Sequence, residues 1–155
     1  MIIIQPFHQK HNVRFLSKEA VPLEYREDEL IGQAFAARAN AYCPYSHFAV
    51  GAALLAESGR IYTGVNCENA AFGAGTCAER AALASAVTAG ERSFRALAVA
   101  VGETEPATPC GICRQMLSEF GDMDVICVSE KGTHITRTRL SALLPHAFLK
   151  FDPQE

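Results

Sequence analysis

No run of lysines or arginines occurs in this 155-residue sequence, and its formal net charge is only −3. A surface that tracks phosphates needs a basic stripe, so nucleic acid is excluded as a partner. Long hydrophobic runs are missing too. The opening Met1-Ile2-Ile3-Ile4 stops at Gln5-Pro6, too short for the apolar core of a signal peptide or for a membrane span, so the chain reads as cytoplasmic. No internal repeat, linker or low-complexity segment divides it. At 49% hydrophobic content it is long enough to bury one core. Residues 1–22 read as an N-terminal arm of uncertain order and residues 23–155 as a single domain.

The six cysteines could form three disulfides, but the chain has no export signal and is too large to need staples. Cys127 lies in the apolar run Val125-Ile126-Cys127-Val128 and reads as a small buried hydrophobe. Cys43 and Cys67 have no partner at ligand spacing and read as free thiols. The other three stand in Cys77-Ala78-Glu79-Arg80 and Pro109-Cys110-Gly111-Ile112-Cys113-Arg114-Gln115. Three thiolates are one short of the four that close a structural zinc site, and three protein ligands leave a position open for water. C-x-E followed by P-C-x-x-C is the three-cysteine form of the zinc-deaminase signature.

Coarse patterning places these motifs. Leu30, Ile31, Phe35 and, less regularly, Ala37 and Ala41 give a helical face within Glu24–Ala41. Phe48–Ala56 and Arg60–Val65 read as strands of an antiparallel hairpin turning at Glu57-Ser58-Gly59. A helix follows from Cys77 to about Thr88, closed by Gly90, then an unbroken apolar run Ala96–Val101. A second helix spans Cys110–Phe120, closed by Gly121, before the strand Val125–Val128. A short strand near Thr133–Thr136 and a helical turn at Leu140–Leu144 complete the pattern. Apolar runs without polar alternation predict strands covered on both faces. The expected fold is an α/β three-layer α/β/α sandwich with a mixed five-stranded sheet.

Both cysteine groups fall at expected helix N-termini. Thr76 is the expected N-cap of the first helix and Thr108 of the second, with Pro109 at its first position. Partial positive charge and unpaired N–H groups there favour thiolate over thiol. Three thiolates leave zinc electron-rich, and Arg80 and Arg114 follow ligands closely enough to donate to sulfur. Arg80 is the residue expected to do so; its other reading is a solvated surface arginine. Glu79 matches a capping box with Thr76, but an open zinc needs a proton acceptor for its water, and Glu79 is assigned as general acid/base. A structural site with His47 or Cys67 as fourth ligand is the alternative; neither stands at ligand-like spacing.

Five stretches extend the pattern. They are Tyr45-Ser46-His47-Phe48-Ala49-Val50-Gly51-Ala52-Ala53-Leu54, Gly64-Val65-Asn66-Cys67-Glu68-Asn69-Ala70-Ala71, the two cysteine motifs, and Leu143-Leu144-Pro145-His146-Ala147-Phe148. In order and separation they resemble the small homotetrameric cytidine deaminases from about Glu27 to Phe148. The resemblance implies zinc-dependent hydrolysis of cytidine and 2′-deoxycytidine to the uridines with release of ammonia, as in pyrimidine salvage, with one zinc per subunit. It implies that Phe48 packs on the pyrimidine, that Asn66 and Glu68 bond the ribose 3′-hydroxyl, and that the Ala78 backbone meets O2. Main-chain groups around Thr108 and Cys110 would meet the departing amine. Ala70, Phe72 and Phe148 would face the ligand of a neighbouring subunit in a homotetramer. Phe72 stands where tyrosine is frequent, His146 where glycine is usual and Cys43 where serine is usual. The rival readings are deamination of another amino-heterocycle such as blasticidin S, and a zinc-stabilised binding module without catalysis.

Overall fold

A computed structural model describes residues 27–149, together with the backbone of Val13–Phe15. The hairpin predicted around Gly59 forms at one side of a mixed sheet, from β2 (Val50–Ala56) and β3 (Ile61–Val65). β2 also pairs antiparallel with β4 (Phe94–Val101). Next come β5 (Asp124–Val128), parallel to β4, and β6 (Ile135–Arg139), antiparallel to β5. These are the five expected strands. A sixth, β1 (Val13–Phe15), adds parallel to β6 at the edge, giving the order β1-β6-β5-β4-β2-β3. The rest of the arm expected over residues 1–22 lies outside the described residues.

Strand alternation splits the core in two. Ala52, Leu54 and Ala56 of β2 join Leu97, Val99, Val125 and Cys127 on one face, where Ala82, Leu83 and Ala86 of α2 (Ala78–Thr88), Leu117 of α3 (Gly111–Ser118) and Leu140 of α4 (Leu140–Leu143) cover them. Ala53 and Leu55 point the other way, to Ala96, Ala98, Ala100, Ile126 and Val128, under Leu30 and Ala34 of α1 (Glu27–Arg38). Covering on both faces accounts for the unbroken apolar runs of β4 and β5. Alanines line much of this interface and let helix and sheet approach closely. At Gly64 even a methyl is too large: a Cβ there would clash with the backbone of Ala78, Ala81 and Ala82 in α2.

Several boundaries differ from expectation. α1 ends at Arg38 rather than Ala41, and residues 24–26 of the expected helix lie outside the described residues. β2 begins at Val50, two residues after Phe48, because Asn66 binds the main chain at Phe48 and Val50. β6 falls later than Thr133–Thr136, since Glu130–Gly132 forms a 3-10 turn first. Gly90, at φ +95, follows the end of α2 in the left-handed region where glycine is favoured.

Candidate active site

The N-termini of α2 and α3 converge, and their N-cap residues are Cys77 and Cys110 themselves. This corrects the expectation for Thr76 and Thr108. Neither cap makes a side-chain capping bond, so the Thr76–Glu79 capping box is not formed. Thr76 instead exchanges backbone hydrogen bonds with Cys67, and Thr108 Oγ1 accepts from Arg114 Nη2 at 2.9 Å. Placing a cysteine at each cap leaves its sulfur free to face the other helix. Cys77 Sγ lies 3.8 Å from Cys110 Sγ, which lies 3.5 Å from Cys113 Sγ. Tetrahedral Zn–S bonds of about 2.3 Å put sulfurs about 3.8 Å apart, so the set fits zinc. His47 and Cys67 are not part of this cluster, and all six cysteines are free of disulfides.

The environment divides the three thiols. Burial, reinforced by the charge of Glu79, pushes Cys113 far up, and burial also raises Cys77. Burial opposes ionisation of Cys110 as well, but hydrogen bonds from Cys113 and Cys77 outweigh it and lower the Cys110 thiol. Glu79 is buried on the first turn of α2. Burial raises its carboxyl above the usual range, against hydrogen bonding from its own N–H and from Cys113. A buried carboxyl on the same turn as a ligand is placed to exchange protons with a molecule held at the sulfurs.

Arg80 and Arg114 have different partners. Arg80 Nη2 donates to the Gly75 carbonyl at 3.2 Å, while its buried Nε makes no hydrogen bond. Burial would lower its pKa, but the neighbouring sulfurs, Cys77 first, raise it. A cation with a spare buried donor beside three sulfurs suits a site that becomes anionic when metal-loaded. Arg114 donates to the carbonyls of Pro109 at 2.6 Å and Leu143 at 2.8 Å and makes no bond to sulfur. It ties the Pro109 carbonyl and the Thr108 hydroxyl to Leu143 of α4, correcting its expected role.

A second layer is built by the segment between α1 and β2. The Tyr42 N–H donates to the Asn66 carbonyl and the Glu68 N–H to the Tyr42 carbonyl, while Cys67 pairs with Thr76. One row of backbone bonds thus carries the loop from Tyr42, through Asn66–Glu68, to the foot of α2. The Asn66 side chain donates to the Phe48 carbonyl and accepts from Val50 N–H. Glu68 accepts from Tyr45 and Ser46 N–H and from the Ser46 hydroxyl. Phe48 is half-buried and Ala78 fully buried. Ala70, Phe72 and Phe148 are exposed, Phe72 at 83%, and Phe72 packs edge-on against Tyr45 with ring centroids 6.3 Å apart. Gln115 Nε2 donates to the Phe148 carbonyl at 2.7 Å. His146 has a left-handed φ of 57, a region that favours glycine, the residue the resemblance led one to expect there.

Sequence reasoning missed Ser46, which joins Glu68 to the Phe48 backbone. The signal available was a serine two residues before the aromatic, the spacing of a serine turn.

Converging helix caps, three sulfurs and a buried carboxyl define a metal-dependent enzyme site with an open ligand position. Residues 25–129 match the family described as cytidine and deoxycytidylate deaminase zinc-binding region. A cytidine deaminase of Sporosarcina psychrophila is 50% identical over 127 residues, 81% of this chain and 93% of that one. A probable cytidine deaminase of Dictyostelium discoideum is 47% identical over 72% of this chain and 76% of its own. The crystal structure of cytidine deaminase from Burkholderia pseudomallei matches with a TM-score of 0.76 at 44% identity, covering 80% of this chain and 100% of that chain. The chain belongs to the cytidine and deoxycytidylate deaminase family, and zinc is its metal.

Proposed function

We propose that this protein hydrolyses cytidine and 2′-deoxycytidine to uridine and 2′-deoxyuridine with release of ammonia. The observation that carries this reading is the placement of Glu79, a buried carboxyl with a raised pKa, on the turn that begins at Cys77. Zinc held by Cys77, Cys110 and Cys113 supplies the Lewis acidity that activates water at neutral pH. Glu79 accepts the proton of the attacking water as oxygen adds to C4 of the ring. It passes that proton to N3, then takes the second from the hydroxyl now on C4 and hands it to the amino group, which leaves as ammonia as the C4 carbonyl forms. Arg80 offsets the negative charge of the thiolates. The Ala78 backbone faces O2, Phe48 packs on the ring, and Asn66 and Glu68 receive the sugar. Water is consumed and ammonia released, so no further reactant is needed.

Residues 23–155 form the catalytic unit of a cytoplasmic homotetramer serving pyrimidine salvage. Tyr42, Tyr45, Phe72, Ile112, Met116 and Phe148 are large, apolar or aromatic, and exposed, which supports burial between subunits. In that assembly Ala70, Phe72 and Phe148 complete a neighbour's site. Among the described residues no helix is long and apolar enough to cross a membrane.

The test follows the ultraviolet band of cytidine with wild type and Glu79→Gln at equal zinc content. Wild type should consume the band while the variant loses about 10²- to 10⁴-fold in kcat. No turnover of any cytosine nucleoside by zinc-loaded wild type would overturn the reading. Light scattering checks the tetramer.

A further inference from the structure

The Glu68 carboxylate is held in a fixed orientation by its own neighbours. Oε2 accepts the N–H groups of Tyr45 at 2.9 Å and Ser46 at 3.1 Å, and Oε1 accepts the Ser46 hydroxyl. The same hydroxyl oxygen accepts the N–H of Phe48 at 3.0 Å. That bond spans His47, whose φ of +57 is left-handed, a conformation that a side chain other than glycine adopts only when its surroundings hold it. One oxygen atom therefore joins the carboxylate assigned to the sugar to the backbone of the ring assigned to the base.

We propose that Ser46 is a positioning residue that sets sugar specificity, by turning Glu68 so that its one unfilled acceptor site faces a hydroxyl donor of the substrate. The proposal rests on the assignment of Glu68 and Phe48 as substrate contacts made above. An ionised carboxylate offers about four acceptor positions and no donor. Three are occupied, and the remaining one lies on Oε1. The Ser46 bond, foremost among several, also lowers the Glu68 pKa. A site with an acceptor and no donor recognises a sugar that donates, and discriminates against one lacking that hydroxyl, because the acceptor is then desolvated without a partner. Asn66 completes the frame. Its amide already bonds Phe48 and Val50, so it is fixed in orientation with one donor and one acceptor position to spare. A role in loop folding alone would predict equal losses on every substrate.

The experiment compares kcat and KM for cytidine and 3′-deoxycytidine, using zinc-loaded full chains of wild type, Ser46→Ala, Ser46→Thr and Glu68→Gln. For Ser46→Ala the KM for cytidine should rise about tenfold, more than kcat changes, while 3′-deoxycytidine shifts by no more than about twofold. Discrimination between the two sugars should collapse accordingly, and Ser46→Thr, which retains a hydroxyl, should restore it. If Ser46→Ala folds poorly, Ser46→Cys keeps the volume without the strong donor and carries the same expectation. A wild-type ratio in Ser46→Ala or Ser46→Cys, or equal losses on both substrates, overturns the proposal. If Glu68→Gln alone abolishes discrimination, the sugar contact stands and only the role of Ser46 falls. If Glu68→Gln also leaves the ratio unchanged, the sugar contact itself is wrong and the proposal falls with it.

Discussion

The Asn66 side chain donates to the Phe48 carbonyl at 2.7 Å and receives the Val50 N–H at 2.9 Å, so the first residue after β3 fastens the start of β2. Asn66→Ala leaves both backbone groups without their partner and should cost about 1–3 kcal/mol of stability. Asn66→Asp retains the acceptor but sets an oxygen against the Phe48 carbonyl, and should be similarly harmful. Urea midpoints and the KM for cytidine report both effects. A wild-type midpoint for Asn66→Ala would count against the clamp.

Arg80 brings a buried, unbonded Nε to the sulfur cluster. Arg80→Gln should lower kcat about tenfold or more while zinc content, measured by atomic absorption, stays unchanged. Activity at the wild-type level would leave Arg80 with only its bond to Gly75.

Zinc binding should be steeply dependent on pH. Burial raises the thiols of Cys77 and Cys113, yet a ligand must be thiolate, so metal uptake expels protons. Apparent affinity should therefore increase from about pH 6 to about pH 8. Competition against a chromophoric chelator, corrected for the chelator's own titration, reads this directly. A flat profile contradicts it.

Gly64 lies against the backbone of α2 at Ala78, Ala81 and Ala82. Gly64→Ala must push the helix that carries Glu79 away from β3, at about 1–3 kcal/mol. Thermal unfolding should shift downward, and kcat should fall with it because general acid/base geometry tolerates little displacement. Ordinary stability and activity in this variant would mean that the helix can shift without consequence.

Glu91 Oε1 gathers the Ser58 hydroxyl at 2.6 Å, Arg60 Nε at 2.9 Å and the Tyr62 hydroxyl at 3.2 Å. These partners, Ser58 foremost, hold its carboxyl below the usual value. A depressed folded pKa contributes stability that is present above the unfolded value of about 4.3 and is lost as pH falls through the folded one. Glu91→Gln should therefore destabilise at neutral pH, and its deficit in urea unfolding should shrink in acid. A deficit independent of pH would assign the effect to packing.

The hairpin at Gly59, the helices closed near Gly90 and Gly121 and the doubly covered strands were legible because each rests on local pattern. Which residue caps each helix was not legible. Thr76 is as good an N-cap as any by type, but its backbone is engaged by Cys67, nine residues earlier, and the cap passes to Cys77. Arg114 likewise looked available to sulfur until Leu143, from the far end of the domain, took its guanidinium.

Ligand types, their spacing and the adjacent carboxyl are properties of two short segments, and they already specify an open metal site. Sulfurs 3.5 and 3.8 Å apart, a carboxyl buried beside them with its pKa raised, and a loop whose Ser46 reaches both Glu68 and Phe48 arise only when distant segments pack together. Burial and hydrogen-bond partnership depend on what surrounds a residue in space, and those neighbours come largely from other parts of the chain.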